Sequence, residues 1–391
     1  MREKTLTSSS QSEQPALTVN GFNSTSGGGL RILTGLVRFL GSLPKDVFPE
    51  PPIVLLSPQH DACLIDEARR LGLEVRVYVV TGFKAIDQIL LYFVHLPLRT
   101  FFARGPECLL NLGDFIVPFV QRQVYYFDWL YAVSDNKDVW GQMAGLKRIA
   151  RGIKWANIRG LINTPRVVIV QSEFVSRQLS LISSGPTPIV IPCPVDVFRA
   201  TSVVAPHGTP IEKVSRYPQF LCLSSFATHK NIKVLLSVGE LLKLRGLGVR
   251  IILTLDETDR AVSSFMRCVS DRGLGDLIIN VGVLNFAEVD NWLEVCDALL
   301  LPTKLESFGM PYVESLARGR PILTSDLPFA REICKTGTMF FAPDDPIDIV
   351  KKIEAFIEHD GLEIDKSVVE KIVEDCNPSK VFTHLLKQTR F

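Results

Sequence analysis

What most constrains this chain is an alternation that runs through it twice. Short apolar runs alternate with stretches of helical periodicity, the pattern of a parallel sheet with crossover helices. The first series opens with ALTVN (Ala16–Asn20), the loop GFNSTSGGG and a helix through LRILTGLVRFLGSL. PIVLL (Pro52–Leu56), a helix over Asp61–Gly72 and EVRVYVV (Glu74–Val80) follow. CLLNL (Cys108–Leu112), RQVYYF (Arg122–Phe127), RVVIV (Arg166–Val170) and PIVIP (Pro188–Pro192) are its remaining strands. Val197–Pro218 then breaks the pattern, with three prolines and little periodicity.

A second series starts at QFLCLSS (Gln219–Ser225) and continues through VRIILTLD (Val249–Asp256), LIINVG (Leu277–Gly282), ALLLPT (Ala298–Thr303) and PILTSD (Pro321–Asp326). Helices are expected between these strands, with terminal ones over Asp345–His359 and Pro378–Gln388. The reading is α/β: two Rossmann-like domains facing each other across a cleft, where strand C-termini and helix N-termini gather. The first domain spans 15–200, a linker 201–218 and the second domain 219–376. A tail over 1–14 precedes them, and a helix within 377–391 has a return to the first domain as one placement.

Composition narrows the partners. With 43 Lys+Arg against 42 Asp+Glu, bulk charge gives no reason to expect nucleic acid. The eight cysteines are scattered without a Cys-x-x-Cys pair, which suggests a reducing compartment. The polar start MREKTLTSSSQSEQ lacks the apolar stretch of a secretory signal, so a cytoplasmic protein is expected. The apolar run Ile89–Leu98 is too short to span a bilayer, and Ile89–Phe102 is expected to be buried in the domain core, with a contact to lipid as its alternative.

The segment LESFGMPYVE (Leu305–Glu314) follows the most apolar strand of the second series. Gly309 permits close backbone approach, Pro311 suits the first helical position, and Glu314 is expected in the first helical turn. Amides of Phe308, Gly309 and Met310 beside a helix N-terminus favour an anion such as a diphosphate. Taken alone, the same residues are satisfied by an ordinary helix whose early acid complements the dipole.

The wider segment TKLESFGMPYVESLARGRPILTSDLP resembles the signature of the retaining glycosyltransferases of family four. In that pattern two glutamates stand eight positions apart around Phe-Gly-x-Pro, here Glu306, Phe308-Gly309-Met310-Pro311 and Glu314. Ala317-Arg318-Gly319-Arg320-Pro321-Ile322, ARE (Ala330–Glu332) and APDD (Ala342–Asp345) extend it. In the first domain the likeness rests on the glycine loop, QSEF (Gln171–Phe174) and IPCPVDVF (Ile191–Phe198).

The resemblance implies a GT-B fold and transfer from a nucleotide-sugar donor, with no cofactor besides that substrate. Glu306 would bind hydroxyls of the donor sugar, Glu314 the ribose, and the amides of Phe308, Gly309 and Met310 the sugar and phosphate. Carboxylates suit vicinal hydroxyls as strong acceptors. Lys230 in SSFATHKNI would stabilise the diphosphate leaving group. The family commonly has an Arg five residues earlier, and here that position is Ser225. Val283 and Leu284 are assigned to the nucleobase edge, and Gly28 and Gly29 to the donor phosphates and acceptor. A His near the family's reacting centre is matched by Asp128, which could assist an acceptor hydroxyl or simply cap a helix.

Leu146–Gly160 carries five basic residues and no acid, with Leu146, Ile149 and Ile153 opposite the basic face. It is read as a solvated helix or as a contact to anionic lipid headgroups at the inner face of a membrane. The expected function is therefore retaining, metal-independent transfer of a sugar to a hydroxyl of a glycan or lipid-linked acceptor. No Asp-x-Asp motif is present to suggest a metal. The alternatives are a sugar-nucleotide epimerase and a nucleotide-sugar-binding protein without transferase activity; a dinucleotide enzyme lacks its G-x-G-x-x-G.

Overall fold

A computed structural model describes residues 16–102, 107–134, 140, 145–196, 217–359 and 361–390. The expected tail over 1–14 and most of the expected linker over 201–218 lie outside these residues, as do the side chains of Leu146 and Lys147. The first half runs β1 (Ala16–Asn20), α1 (Gly27–Ser42), β2 (Ile53–Leu56), α2 (Ala62–Arg70), β3 (Glu74–Val77) and α3 (Lys84–Leu90). A π-helical turn over Leu91–His95 joins α3 to α4 (Leu96–Phe102). Then come β4 (Glu107–Asn111), β5 (Gln123–Tyr126), α5 (Gly145–Leu161), β6 (Val167–Val170), α6 (Glu173–Ser180) and β7 (Ile189–Val190).

The second half runs β8 (Gln219–Cys222), α7 (Val234–Leu244), β9 (Arg250–Leu253), α8 (Arg260–Asp271), β10 (Ile278–Asn280), α9 (Phe286–Val295) and β11 (Ala298–Leu301). It continues with α10 (Met310–Ala317), β12 (Ile322–Ser325), α11 (Pro328–Ile333), β13 (Thr338–Phe341), α12 (Pro346–Glu358), α13 (Lys366–Asp375) and α14 (Pro378–Lys387).

The described residues form two parallel sheets. Their orders are β3-β2-β1-β4-β5-β6-β7 and β10-β9-β8-β11-β12-β13. Both reverse direction beside their first strand, at β1/β4 and at β8/β11, and the crevice beyond such a switch point is where open α/β sheets bind ligands. Period-2 alternation explains why β2 is apolar throughout. Val54 and Leu56 pack on one side of the sheet with Leu33 and Leu36, while Ile53 and Leu55 pack on the other with Phe22 and Tyr92. In the second domain Phe220, Ile251, Leu299, Leu323 and Ile353 meet in one core.

Two expectations need correction here. EVRVYVV is a strand only to Val77, because β3 is the edge strand and is largely exposed. The Ile89–Phe102 stretch is not buried in the core. It is amphipathic, burying Leu91, Tyr92 and Leu96 and exposing Ile89, Val94, Leu98, Phe101 and Phe102. No helix among the described residues is long and apolar enough to cross a membrane.

The chain returns to its first domain at the end. Val195 donates its N–H to the Cys376 carbonyl at 2.9 Å, and α14 then lies against α1. Phe382 is buried there, its ring 5.7 Å from that of Phe39. Truncating it leaves a cavity with nothing else to fill it. Phe382→Ala should cost about 3–5 kcal/mol, read as a lower Tm in a thermal melt.

Candidate active site

The second domain supplies a loop and two turns. β11 ends at Leu301, and Pro302 to Ser307 carry the chain to Gly309, whose φ of 82° reverses it into α10. A Cβ on Gly309 would lie 2.5 Å from the Tyr312 ring, so no other residue fits. Gly309 is the N-cap and the helix begins at Met310. Pro311 is therefore the second helical residue and Glu314 the fifth, in the second turn rather than the first. The dipole account of Glu314 weakens accordingly, since that effect fades within the first turn. Its carboxylate is 2% exposed, and neither oxygen has a hydrogen-bond donor. Arg31 meets it as a charge partner without hydrogen-bond geometry.

Glu306 accepts from Lys230 Nζ at 2.5 Å. Lys230 closes a 3₁₀ turn over Thr228–Lys230 rather than opening a helix. The turn is tied down from three sides. The His229 carbonyl accepts from the Lys304 N–H at 2.7 Å and from the Thr303 hydroxyl at 3.2 Å. Asn231, at φ 55°, donates to the Pro343 carbonyl at 2.7 Å, which gives the APDD segment its place. Ser225 is exposed, and its carbonyl accepts the Ser224 hydroxyl. Val283 is also exposed, while Leu284 packs on the core. The turn they occupy is fixed locally by a capping box between Asn285 and Glu288.

In the first domain a buried amide network holds the strand ends. Asn20 donates to Asn111 at 2.9 Å, and Asn111 donates to Gln123 at 2.9 Å. His60 Nδ1 accepts the Ser57 N–H, which leaves Nε2–H to donate to the Ser24 carbonyl at 3.2 Å. That bond pins the glycine loop, and burial keeps the His60 pKa below its usual value. The glycines do not precede the helix. Gly27, Gly28 and Gly29 form the first turn of α1, after Ser26 as N-cap. A Cβ on Gly28 would lie 2.6 Å from Met310 Cε, so the first turns of α1 and α10 face each other across the cleft.

The expected acceptor side gathers around Asp128. Asp128 is exposed at its surface, yet the protein crowded around its carboxylate desolvates it and raises its pKa to about 6. The Lys154 charge opposes the rise and Asp114 adds to it. Lys154 is buried against Asp114, and its ammonium lies 4.4 Å from the centroid of the Trp129 ring. This corrects the expected basic face of Leu146–Gly160. Lys154 turns inward, Arg151 covers the Tyr131 ring, and Ile149 (61% exposed) and Ile153 (57%) face out. Tyr131 crosses the cleft, its hydroxyl 2.7 Å from His229 Nδ1. Burial and the Lys230 charge depress the His229 pKa to about 4, so the ring stays neutral.

Two segments singled out in the sequence prove to be one latch. Glu332 of the second domain accepts from the N–H groups of Glu173 and Phe174, both at 2.7 Å, capping α6 of the first domain. Beside it, Ser172 Oγ donates to the Ser307 carbonyl at 2.8 Å, within the Glu306–Glu314 loop. The sequence reading missed Arg31, His60, Tyr131 and His229. Arg31 and His229 sit inside segments already singled out, one turn past the glycines and next to Lys230, where a second polar group was discoverable. Among the described residues no three His, Cys, Asp or Glu side chains cluster as metal ligands would.

The fold is of the GT-B type. Its architecture is similar to that of a glycosyltransferase from Rickettsia africae, with a TM-score of 0.68 at 13% identity over 96% of this chain and 98% of that one. It is also similar to a sucrose-phosphate synthase from Thermosynechococcus elongatus, with a TM-score of 0.69 at 12% identity over the same shares. HepE of Anabaena, solved with UDP and glucose, gives 0.63 at 14% identity over 95% and 98%. In sequence, residues 209–372 match the family model described as glycosyl transferases group 1. A stretch of 135 residues is 28% identical to the O-antigen chain mannosyltransferase RfbU of Salmonella typhimurium. That match covers 34% of this chain and 37% of the relative, just over a third of each.

The environment of Asp128 makes a pH prediction. Below its pKa of about 6 it is protonated, and above it the carboxylate can accept a hydrogen bond from a hydroxyl and orient it. Any reaction that depends on this carboxylate should rise through pH about 6, and Asp128→Asn should remove that limb and lower kcat about 100-fold; the pH–rate profiles of both proteins check this.

Proposed function

We propose that the protein is a retaining glycosyltransferase that moves a sugar from a nucleotide-sugar donor to a hydroxyl of a glycan or lipid-linked acceptor. The observation that carries this reading is the pair Glu306 and Glu314 at one sheet's switch point. One is ion-paired to an anchored lysine, and the other is buried, facing Arg31 as its charge partner but with neither oxygen receiving a hydrogen bond. A buried carboxylate without donors is costly, and vicinal ribose hydroxyls would supply them. The family match over 209–372 supports the same reading.

In the proposed reaction Glu306 holds hydroxyls of the donor sugar and Glu314 the ribose. The bond from the anomeric carbon to the diphosphate breaks while Lys230 and the N-terminus of α10 stabilise the departing charge. The acceptor hydroxyl bonds to the anomeric carbon from the same face, and its proton passes to the leaving phosphate oxygen. No protein nucleophile and no metal takes part. Asp128 lies on the acceptor side and orients that hydroxyl.

In this proposal the acceptor side works against the cytoplasmic face of a membrane. Along α3 and α4 the first domain exposes Phe93, Val94, Leu98, Phe101 and Phe102, and a 440 Å³ groove lined by Tyr78, Leu90, Val94 and Phe102 runs between them. Helix α5 adds Ile149 and Ile153 beside Arg148. Apolar and cationic surface together suits anionic lipid.

A panel of nucleotide sugars, assayed for released nucleoside diphosphate and for product anomer by NMR, tests the enzymatic reading. Turnover of one donor with retention is expected, unchanged by EDTA, and reduced about 10²–10³-fold by Glu306→Ala. Binding without turnover under any acceptor would identify a nucleotide-sugar-binding protein instead, and a strict Mn²⁺ requirement would overturn the metal-free mechanism. Flotation with anionic vesicles tests the membrane placement. The double variant Phe101→Asp, Phe102→Asp should remain in the soluble fraction.

A further inference from the structure

Arg31 stands where two demands of the proposed donor meet. It lies on α1 of the first domain, one turn past the three glycines, and its half-buried guanidinium reaches across to Glu314 of the second. Its Cζ is 4.8 Å from the centroid of the Phe286 ring, at the start of α9 and next to the turn assigned to the nucleobase. The charges of Asp290 and Asp196 also act on Arg31, and Asp290 is already paired with Arg318 at 2.5 Å. In the empty cleft Arg31 therefore occupies the space between the ribose carboxylate and the base edge. Glu306 and Lys230 are likewise paired with each other. Each carboxylate that would bind donor hydroxyls is occupied by a cation.

An entering nucleoside diphosphate changes both pairings. Ribose hydroxyls take Glu314, which leaves the Arg31 guanidinium in a confined, partly desolvated cleft without its partner, a costly state. The diphosphate arrives with its negative charge, and the anchored Lys230 is a single cation for it. The first turns of α1 and α10 face each other, Gly28 against Met310, so the side chain one turn along α1 borders the same gap. Arginine suits this position, because its planar donors match phosphate oxygens in pairs.

We propose that Arg31 exchanges partners: it holds Glu314 in the empty cleft and becomes the second cation on the donor diphosphate once ribose takes that carboxylate. This gives the cleft the phosphate contact that Ser225 does not provide. It rests on the nucleotide-sugar reading above. The exchange makes Arg31 a barrier to a nucleoside and an aid to a nucleoside diphosphate, which a residue that merely closed the cleft would not be.

Calorimetric titration of the full chain with UDP, GDP, uridine and guanosine tests this, in the wild type and in Arg31→Ala and Arg31→Lys. Arg31→Ala should weaken the bound diphosphate about 10- to 100-fold, while the parent nucleoside binds equally well or better. Arg31→Lys should recover part of the diphosphate affinity and confirms that charge is what was lost. Unchanged or tighter diphosphate binding in Arg31→Ala would reduce Arg31 to a plug and overturn the exchange. Equal weakening of nucleoside and diphosphate would make it structural, which also overturns it. If the wild type binds none of the four, the nucleotide-sugar reading itself falls and takes the exchange with it.

Discussion

Two ion pairs govern this cleft, Glu306 with Lys230 and Glu314 with Arg31. Charges between two packed domains cannot stay unpaired, because little water remains to solvate them. The two pairs neutralise the charges that line the cleft. The pairs also differ in kind. Glu306 and Lys230 belong to one domain and are held by the turn at Thr228–Lys230, so their spacing survives a domain movement. Arg31 and Glu314 belong to different domains, so their contact reports how closely the two halves approach.

Further contacts join the two domains beside the signature loop. Glu332 caps α6 across the boundary, Ser172 reaches the carbonyl of Ser307, and Phe174 packs edge-on to Phe329 at 6.0 Å. Phe308 and Val313, from the signature segment, pack into the core cluster of the first domain. The loop that carries Glu306 is thus braced by the opposite domain.

Much of the fold was legible in the residues. Parallel strands covered on both faces read as continuous apolar runs, so β1, β2 and β11 were placed within a residue or two, and β8 ran three residues too long. Strand β3 was overextended because its apolar tail lies at an edge, where burial no longer limits its length. Ile89–Phe102 misled for a related reason, since hydropathy records how apolar a helix is and not which face finds a partner. At the site, Glu306, Glu314 and Lys230 were marked by resemblance. The surroundings of Asp128 and the inward turn of Lys154 were not, because they depend on Asp114 and Trp129, brought near only by folding. The helix start at Met310 moved Glu314 one residue inward, from the first turn into the second, a shift that followed from the left-handed turn at Gly309.

Helix α14 carries a consequence for how the molecule is made. Val381, Phe382 and Leu385 complete the core of the first domain, yet they are translated after every strand of the second. On the ribosome the second domain can finish its own sheet while the first still exposes the apolar groove along α1 that α14 will cover. The order of synthesis and the order of completion are therefore reversed. The half of the protein that emerges first waits longest for its last side chains, and that interval is when a chaperone would have most to hold.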